Sequence, residues 1–410
     1  MKLDLTDMLY ALSAALDSIE TELLGLETGH GHRVAYLSML MGRGAGYSDE
    51  ELRDFVGCCI LHDNALTEYI HEELAKSENL KLLPTLPTVS DLEEFPISSR
   101  HSVIGERNLR LMPFRTNVSD VILYHHENAD GSGDIGKTAA ETPLMSQILR
   151  LADSADMTSR LSVMSEAEFN GLCQRVRSRV GTLFSKEAAE LFFDCVSFER
   201  IREMQEKTPI RLLRNQLPTE PAEYSDAEIH SIAELFARIV DYKSEFTEKH
   251  SMGVARLAER MAEYFGYGPE KKLRFFLAGA LHDIGKLTVP NNILEKPDKL
   301  TSEEFSAMKQ HAAATRKILS GIKDIPDIIR WASNHHEKLN GSGYPCGLTA
   351  DELSSEERLM TCIDIYQALT EPRPYKQGMP HERAVSVMKD MAAKGELDAD
   401  MVKAVETELA

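Results

Sequence analysis

One pattern of histidines and aspartates occurs twice in this chain, in the same order. His30, His62, Asp63, His101, His125, His126 and Asp153 make the first set; His250, His282, Asp283, His311, His335, His336 and Asp364 make the second. The flanking residues match as well. HGHRVAYLS from His30 pairs with HSMGVARLA from His250, and LHDN from Leu61 pairs with LHDI from Leu281. HSVIGERNL from His101 pairs with HAAATRKIL from His311, HHENADGSG from His125 with HHEKLNGSG from His335, and LADSAD with CIDIYQ. Of the 14 histidines only His32, His71, His230 and His381 fall outside the two sets. Such a repeat demands a fold that gathers seven donors from separate segments, built twice in succession.

The periodicity around these donors is helical. In HSMGVARLAERMAEYFG, Val254, Leu257, Met261 and Phe265 recur at three- and four-residue steps, with His250 in line with them. Strand-like alternation is scarce, so the fold class is all-α. A length of 410 residues suits two domains. The first copy carries about ten extra residues between its second and third histidines, within the Pro-containing stretch SENLKLLPTLPTVSDLEEFP, where a loop is expected. Pro209, Pro218 and Pro221 interrupt the helical pattern between the copies, which sets the domains at 1–206 and 222–410.

Composition narrows the function. A net charge of −20 argues against a nucleic-acid polymer as partner, since phosphate chains need a basic face. A small anionic substrate is allowed, provided metals, Lys or Arg supply local positive charge. The six cysteines show no metal or redox spacing, and adjacent Cys58 and Cys59 in an apolar helix read as core thiols in a reducing cytoplasm. No apolar run approaches the length of a membrane span, and the first residues read as an amphipathic helix rather than a signal peptide.

Imidazole nitrogen and carboxylate oxygen suit divalent first-row metals such as Mn, Fe, Ni or Zn. A single His on an apolar face is ordinarily a hydrogen-bonded core residue. Seven donors repeated in order are a different matter, and they exceed what one tetrahedral zinc needs. They suit two ions with Asp283 as the bridge, because its neighbour His282 binds from the same turn. Gly285 is expected to end the helix and leave His282 and Asp283 in its last turn. Two ions a few Å apart activate water and clamp a phosphate for in-line attack.

HDIGK, VPNNILEKPDKLTSEEFSAMKQH, HHEKLNGSGYP and IDIYQALTEPRPYK resemble the HD-GYP branch of the HD phosphohydrolase superfamily, almost unbroken from His250 to Lys376. The first half resembles the same family through its ligand pattern alone. The resemblance implies two tandem HD-type helical bundles, a dinuclear or trinuclear metal centre, and hydrolysis of a bacterial cyclic dinucleotide, either cyclic di-GMP or 3′,3′-cyclic GMP-AMP. It gives Asp283 and Lys286 catalytic roles, with Lys286 stabilising charge on phosphate. Gly343, Tyr344 and Pro345 become the loop beside the dinucleotide, and Arg373 and Lys376 become substrate contacts. The implied reaction is attack by a metal-bridged hydroxide on phosphorus, giving a linear dinucleotide and, after a second cut, mononucleotides.

Two departures qualify this. Phe246 stands where trinuclear members place a Glu, so two metals are expected, Fe or Mn ahead of Ni or Zn. Gln367 stands where many members carry Asp, a position that tunes rather than performs the chemistry. The first copy keeps every ligand, so it is expected to hold a second metal site. It has Leu66 in place of Lys286, Asp134 and Ile135 in place of Tyr344 and Pro345, and Arg160 as its nearby cation. It is therefore read as weakly active or inactive, serving as an interface, sensor or stability partner. Two other readings of the whole remain open: a regulator that binds the dinucleotide without cutting it, and a phosphohydrolase of another phosphoester. A second copy of the chain or a signalling protein is the partner class left open.

Overall fold

The computed structural model describes all residues except 26, 71–99, 219–220, 244–249, 297 and 373–376. The extra segment of the first copy, Phe246, Arg373 and Lys376 therefore lie outside the described residues. The chain forms two compact units. One is built from the described residues within Asp4–Glu73 and Pro87–Ala222, the other from Met1–Leu3 and Glu223–Ala410. The two strands among the described residues, Lys2–Leu3 and Ala222–Glu223, are two residues each and pair with one another. All other regular structure among the described residues is helical, as the periodicity predicts.

The first unit contains α1 (Leu5–Leu24), α2 (His30–Gly44), α3 (Asp49–Ile60), α4 (Arg100–Leu109) and α5 (Leu144–Met157). Helices α6 (Glu166–Ser178), α7 (Lys186–Cys195), α8 (Phe198–Lys207) and α9 (Pro209–Gln216) follow. Pro209 stands at a break, as the sequence predicts: α8 ends at Lys207 and Thr208 leaves the helical region with φ 65°. Pro209 itself opens α9 at a first-turn position, where the missing N–H costs nothing.

The second unit contains α10 (Asp226–Asp241), α11 (His250–Tyr264), α12 (Pro269–Leu281), a 3-10 turn (Ile284–Thr288) and α13 (Asn291–Leu294). It continues with α14 (Ser302–Leu319), α15 (Pro326–Ser333), α16 (Ser355–Thr370), α17 (His381–Ala393) and α18 (Ala399–Glu408).

Helix starts follow local chemistry. Ser48, Ser165, Ser225, Thr301 and Ser354 each accept an N–H from a Glu three residues on, and that Glu reaches back to the cap backbone. The exchange satisfies donors that a helix terminus would otherwise leave unpaired. Within each unit one helix is the hub. Helix α2 packs on α3 and α5, and α11 packs on α12 and α16. In α12 the run Phe275, Phe276, Leu277, Ala278, Ala280 and Leu281 is fully buried, so apolar contact surrounds the helix that delivers His282.

Candidate metal centre

The second set converges from five elements: His250 opens α11, His282 and Asp283 follow α12, His311 lies in α14, His335 and His336 follow α15, and Asp364 lies in α16. Asp283 is the hub. Its Oδ2 lies 3.2 Å from Nε2 of His282 and 3.7 Å from Nε2 of His250. Its Oδ1 lies 3.4 Å from Nε2 of His311 and 3.8 Å from Nε2 of His335. Asp364 faces His250 at 3.2 Å through Oδ1 and His336 at 3.7 Å through Oδ2. Each carboxylate thus offers its two oxygens to two different histidine groups.

The imidazoles are held in register from behind. Nδ1 of His282, His311 and His335 donates to the carbonyl three residues back, on Gly279, Met308 and Ala332, at 2.6, 2.7 and 2.6 Å. Such a bond fixes the tautomer and leaves Nε2 bare toward the centre. His250 is set differently, with Nδ1 3.1 Å from Glu371 Oε2. Nε2 of His282 and Oδ1 of Asp283 are buried and make no hydrogen bond. Buried polar atoms are rarely left so, and a divalent cation is the partner this donor set fits. Burial holds His311, His335 and His336 below the usual histidine range, which favours the neutral form a metal ligand needs. Burial alone would raise Asp283, but the Lys286 ammonium and His282 outweigh it and hold the carboxylate well below its ordinary range.

Lys286 enters from the 3-10 turn, its Nζ 2.5 Å from Asp283 Oδ2. The expected role of Gly285 needs correction. Helix α12 ends at Leu281, and Gly285 sits inside the following turn without the left-handed backbone of a helix-ending glycine. It is glycine because α14 presses on it: a Cβ there would come within 1.9 Å of the His311 carbonyl oxygen. Gly285 N–H donates to Thr315 Oγ1, and Thr315 Oγ1 donates to the His282 carbonyl. The tight fit locks the His282–Lys286 segment onto the helix that carries His311.

Gly343 and Tyr344 lie against the His335–His336 turn, and Pro345 continues the loop. A Cβ on Gly343 would sit 2.4 Å from Lys338 N and 2.5 Å from Glu337 Cα. Tyr344 N–H donates to the His336 carbonyl at 3.2 Å, and its ring lies 4.7 Å from that of His336. The Tyr344–Pro345 peptide is cis. Buried Glu337 accepts N–H groups from Cys346, Gly347 and Leu348, so one carboxylate anchors the far side of the loop. Glu337 was not singled out from the sequence, although HHE occurs in both copies.

The first set makes the same cluster. Asp63 Oδ2 lies 3.5 Å from Nε2 of His62, and its Oδ1 3.2 Å from Nε2 of His101 and 3.9 Å from that of His125. Asp153 Oδ1 lies 3.4 Å from Nε2 of His30. His126 reaches His101 at 3.0 Å. Nε2 of His30, His62 and His125 is buried and makes no hydrogen bond. Glu127 holds the loop here too, accepting from Ile135 and Lys137 N–H.

The first cluster differs from the second in four ways. Leu66 is buried where Lys286 stands. Arg160 is spent on Glu27 at the surface, its guanidinium 2.6 Å away and 77% exposed. Arg150 of α5 is instead the cation whose charge bears on Asp153 and His126. Behind His30, Asp156 takes Nδ1 at 2.7 Å and is itself gripped by Arg33. In the second unit Arg33 becomes Gly253 and Asp156 becomes Gln367, whose side chain fills the space a Cβ on Gly253 would need. Finally, α1 brings Glu20, buried, its Oε2 without a hydrogen bond, into the field of His30, Asp63 and Asp153.

Two helical bundles in tandem, each closing on a histidine–aspartate cluster, define a metal-dependent HD phosphohydrolase. Residues 29–158 and 234–401 each match the HD domain family model. The 3'3'-cGAMP-specific phosphodiesterase 1 of Vibrio cholerae is 30% identical over 408 residues, 97% of this chain and 90% of that protein. Phosphodiesterase 3 of the same specificity and organism is 29% identical, covering 94% of this chain and 90% of its own. A crystal structure of a cyclic GMP-AMP-specific phosphodiesterase of Vibrio cholerae aligns with a TM-score of 0.66 at 25% identity, over 100% of this chain and 98% of that one. The chain belongs to the HD-GYP family of cyclic-dinucleotide phosphodiesterases, in a tandem form whose N-terminal HD domain has diverged.

Proposed function

We propose that the second unit hydrolyses a bacterial cyclic dinucleotide, 3′,3′-cyclic GMP-AMP ahead of cyclic di-GMP, to the linear dinucleotide. The observation that carries this is Lys286 Nζ beside the bridging carboxylate Asp283, at a centre roofed by Tyr344. Preference for the mixed dinucleotide is supported by the named specificity of two relatives that align over nearly the whole chain.

His250, His282, Asp283, His311, His335, His336 and Asp364 would hold two divalent cations, Fe or Mn ahead of Ni or Zn. When bound, these cations supply Lewis acidity toward phosphate and lower the pKa of water. The chain's own residues do the rest. Asp283 fixes the spacing of the two histidine groups, and Lys286 offers a fixed ammonium where charge grows on phosphate. Tyr344 walls the centre, and Pro345 is proposed beside it as part of the same loop. Arg373 and Lys376 are retained as proposed substrate contacts on sequence alone.

The first unit, within residues 1–206, is proposed to hold metal without competent turnover, because Leu66 provides no charge where Lys286 acts. The catalytic unit lies within 222–410. The cysteines are all unpaired, in keeping with a cytoplasmic site of action. No helix among the described residues is long and apolar enough to cross a membrane.

Purified protein loaded with Mn or Fe is assayed on 3′,3′-cyclic GMP-AMP and cyclic di-GMP, as wild type, Asp63→Ala and Asp283→Ala. Wild type and Asp63→Ala should turn over the mixed dinucleotide and Asp283→Ala should not. Full activity in Asp283→Ala refutes the assignment of the centre.

A further inference from the structure

Helix α14 carries His311 into the centre, and the two turns before it carry an unexplained pair. Phe305 is 48% exposed, unusual for a large aromatic beside an active centre. One turn on, Lys309 places its Nζ 4.8 Å from the centre of the Phe305 ring and 5.7 Å from that of Tyr344. The Tyr344 ring in turn lies 6.2 Å from that of His311 and 4.7 Å from that of His336. Phe305, Lys309 and Tyr344 thus form a continuous rim running outward from the ligands.

The charge on this rim is free. In a chain of net charge −20, the neighbouring Lys296 and Lys338 are paired with Glu304 and Glu396. Among the described residues no carboxylate pairs with Lys309, and its ammonium faces two aromatic rings. In the sequence of the diverged first copy, Ser99 stands where Lys309 stands at the 210-residue spacing, as Leu66 stands for Lys286. The two lysines are absent from that copy together.

A cyclic dinucleotide brings two phosphodiesters and two bases. The phosphate being cut faces the ligands and Lys286, so the other needs a cation further out, and a base needs a flat partner. Resting on the function proposed above, we propose that Phe305 is a stacking platform for one base and Lys309 the cation for the phosphodiester that is not cut. Aromatic faces accept any base, and a cation held between two rings is partly desolvated and ready for an anion. The rim selects for a dinucleotide over a smaller phosphodiester.

The test uses the full Mn-loaded chain with 3′,3′-cyclic GMP-AMP and with bis(p-nitrophenyl) phosphate, which has no base and one phosphate. Phe305→Ala should raise KM for the cyclic dinucleotide about tenfold, the loss of one stacking contact, with kcat within about twofold. Lys309→Gln should lower the preference for the cyclic dinucleotide over bis(p-nitrophenyl) phosphate about tenfold and weaken the salt dependence of KM. Phe305→Tyr and Lys309→Arg should restore most of each loss. Unchanged preference in both Phe305→Ala and Lys309→Gln overturns the proposal while leaving the function intact. A parallel fall on both substrates also overturns it, as damage to the centre. A wild type that cuts only bis(p-nitrophenyl) phosphate overturns both the rim and the function it rests on.

Discussion

Lys286 Nζ rests 2.5 Å from Asp283 Oδ2, so the ammonium and the carboxylate share one short turn after α12. This proximity separates two roles that sequence places side by side. Asp283 lies within reach of both histidine groups, whereas the ion pair Lys286 makes among the described residues is with Asp283. Lys286→Ala should therefore lower kcat on the cyclic dinucleotide by about 100-fold or more while bound metal per chain stays near the wild-type value. Asp283→Ala should lose both. Metal analysis alongside kinetics checks the split; loss of metal in Lys286→Ala would make the lysine a structural counter-ion.

The loop that carries Tyr344 is anchored by a buried carboxylate. Glu337 receives three backbone N–H groups beyond the cis peptide, and Gly343 packs directly on its Cα. Removing the carboxylate leaves those donors without a partner, at about 1–3 kcal/mol. Glu337→Ala should raise KM for the cyclic dinucleotide about tenfold or more with metal content retained, and Glu337→Gln should recover part of it. Unchanged KM in Glu337→Ala would show that the loop holds itself.

Much of this was legible because donor side chains leave a pattern that survives divergence. His30 and His250 match across the two copies, as do Asp153 and Asp364, and helical periodicity gave the all-α class. What surrounds the donors was not legible, since a supporting contact is a matter of which side chain happens to fill a space. His30 is backed by Asp156, three residues after Asp153, but His250 is backed by Glu371, seven residues after Asp364. Gly285 misled for a related reason: a glycine that ends a helix and one crushed against His311 look alike in sequence.

The Arg33–Asp156 pair is buried on both sides, with guanidinium and carboxylate 2.6 Å apart. The second unit does without it by using Gly253 and Gln367, so the pair is a local solution rather than a requirement of the fold. Arg33→Ala strands a buried carboxylate and should cost about 3–5 kcal/mol in the first unit, read as a lower denaturant midpoint for its transition. Turnover of the cyclic dinucleotide, proposed for the second unit, gives the contrast. A midpoint within experimental error of wild type would show that water replaces the guanidinium freely.

Glu20 gives the first unit a pH response. Burial, reinforced by Asp17, Asp63 and Asp153, pushes its carboxyl up to about 8 despite the counter-pull of His30. In the metal-free chain Glu20 is thus protonated when folded, whereas in the unfolded chain it ionises near the ordinary value of about 4.3. The folded state holds the extra proton between those limits. Stability from this group is complete below about pH 4, declines as pH rises, and is lost once pH passes about 8. The histidines of the same cluster also titrate, so the wild-type profile alone is not diagnostic, but Glu20→Gln removes this one contribution. Chelator-treated wild type and Glu20→Gln should be similarly stable near pH 5. They should diverge by roughly 3–5 kcal/mol in favour of the variant by pH 8.5, followed by urea unfolding at each pH. Parallel profiles would mean that Glu20 is already ionised and paired in the metal-free fold.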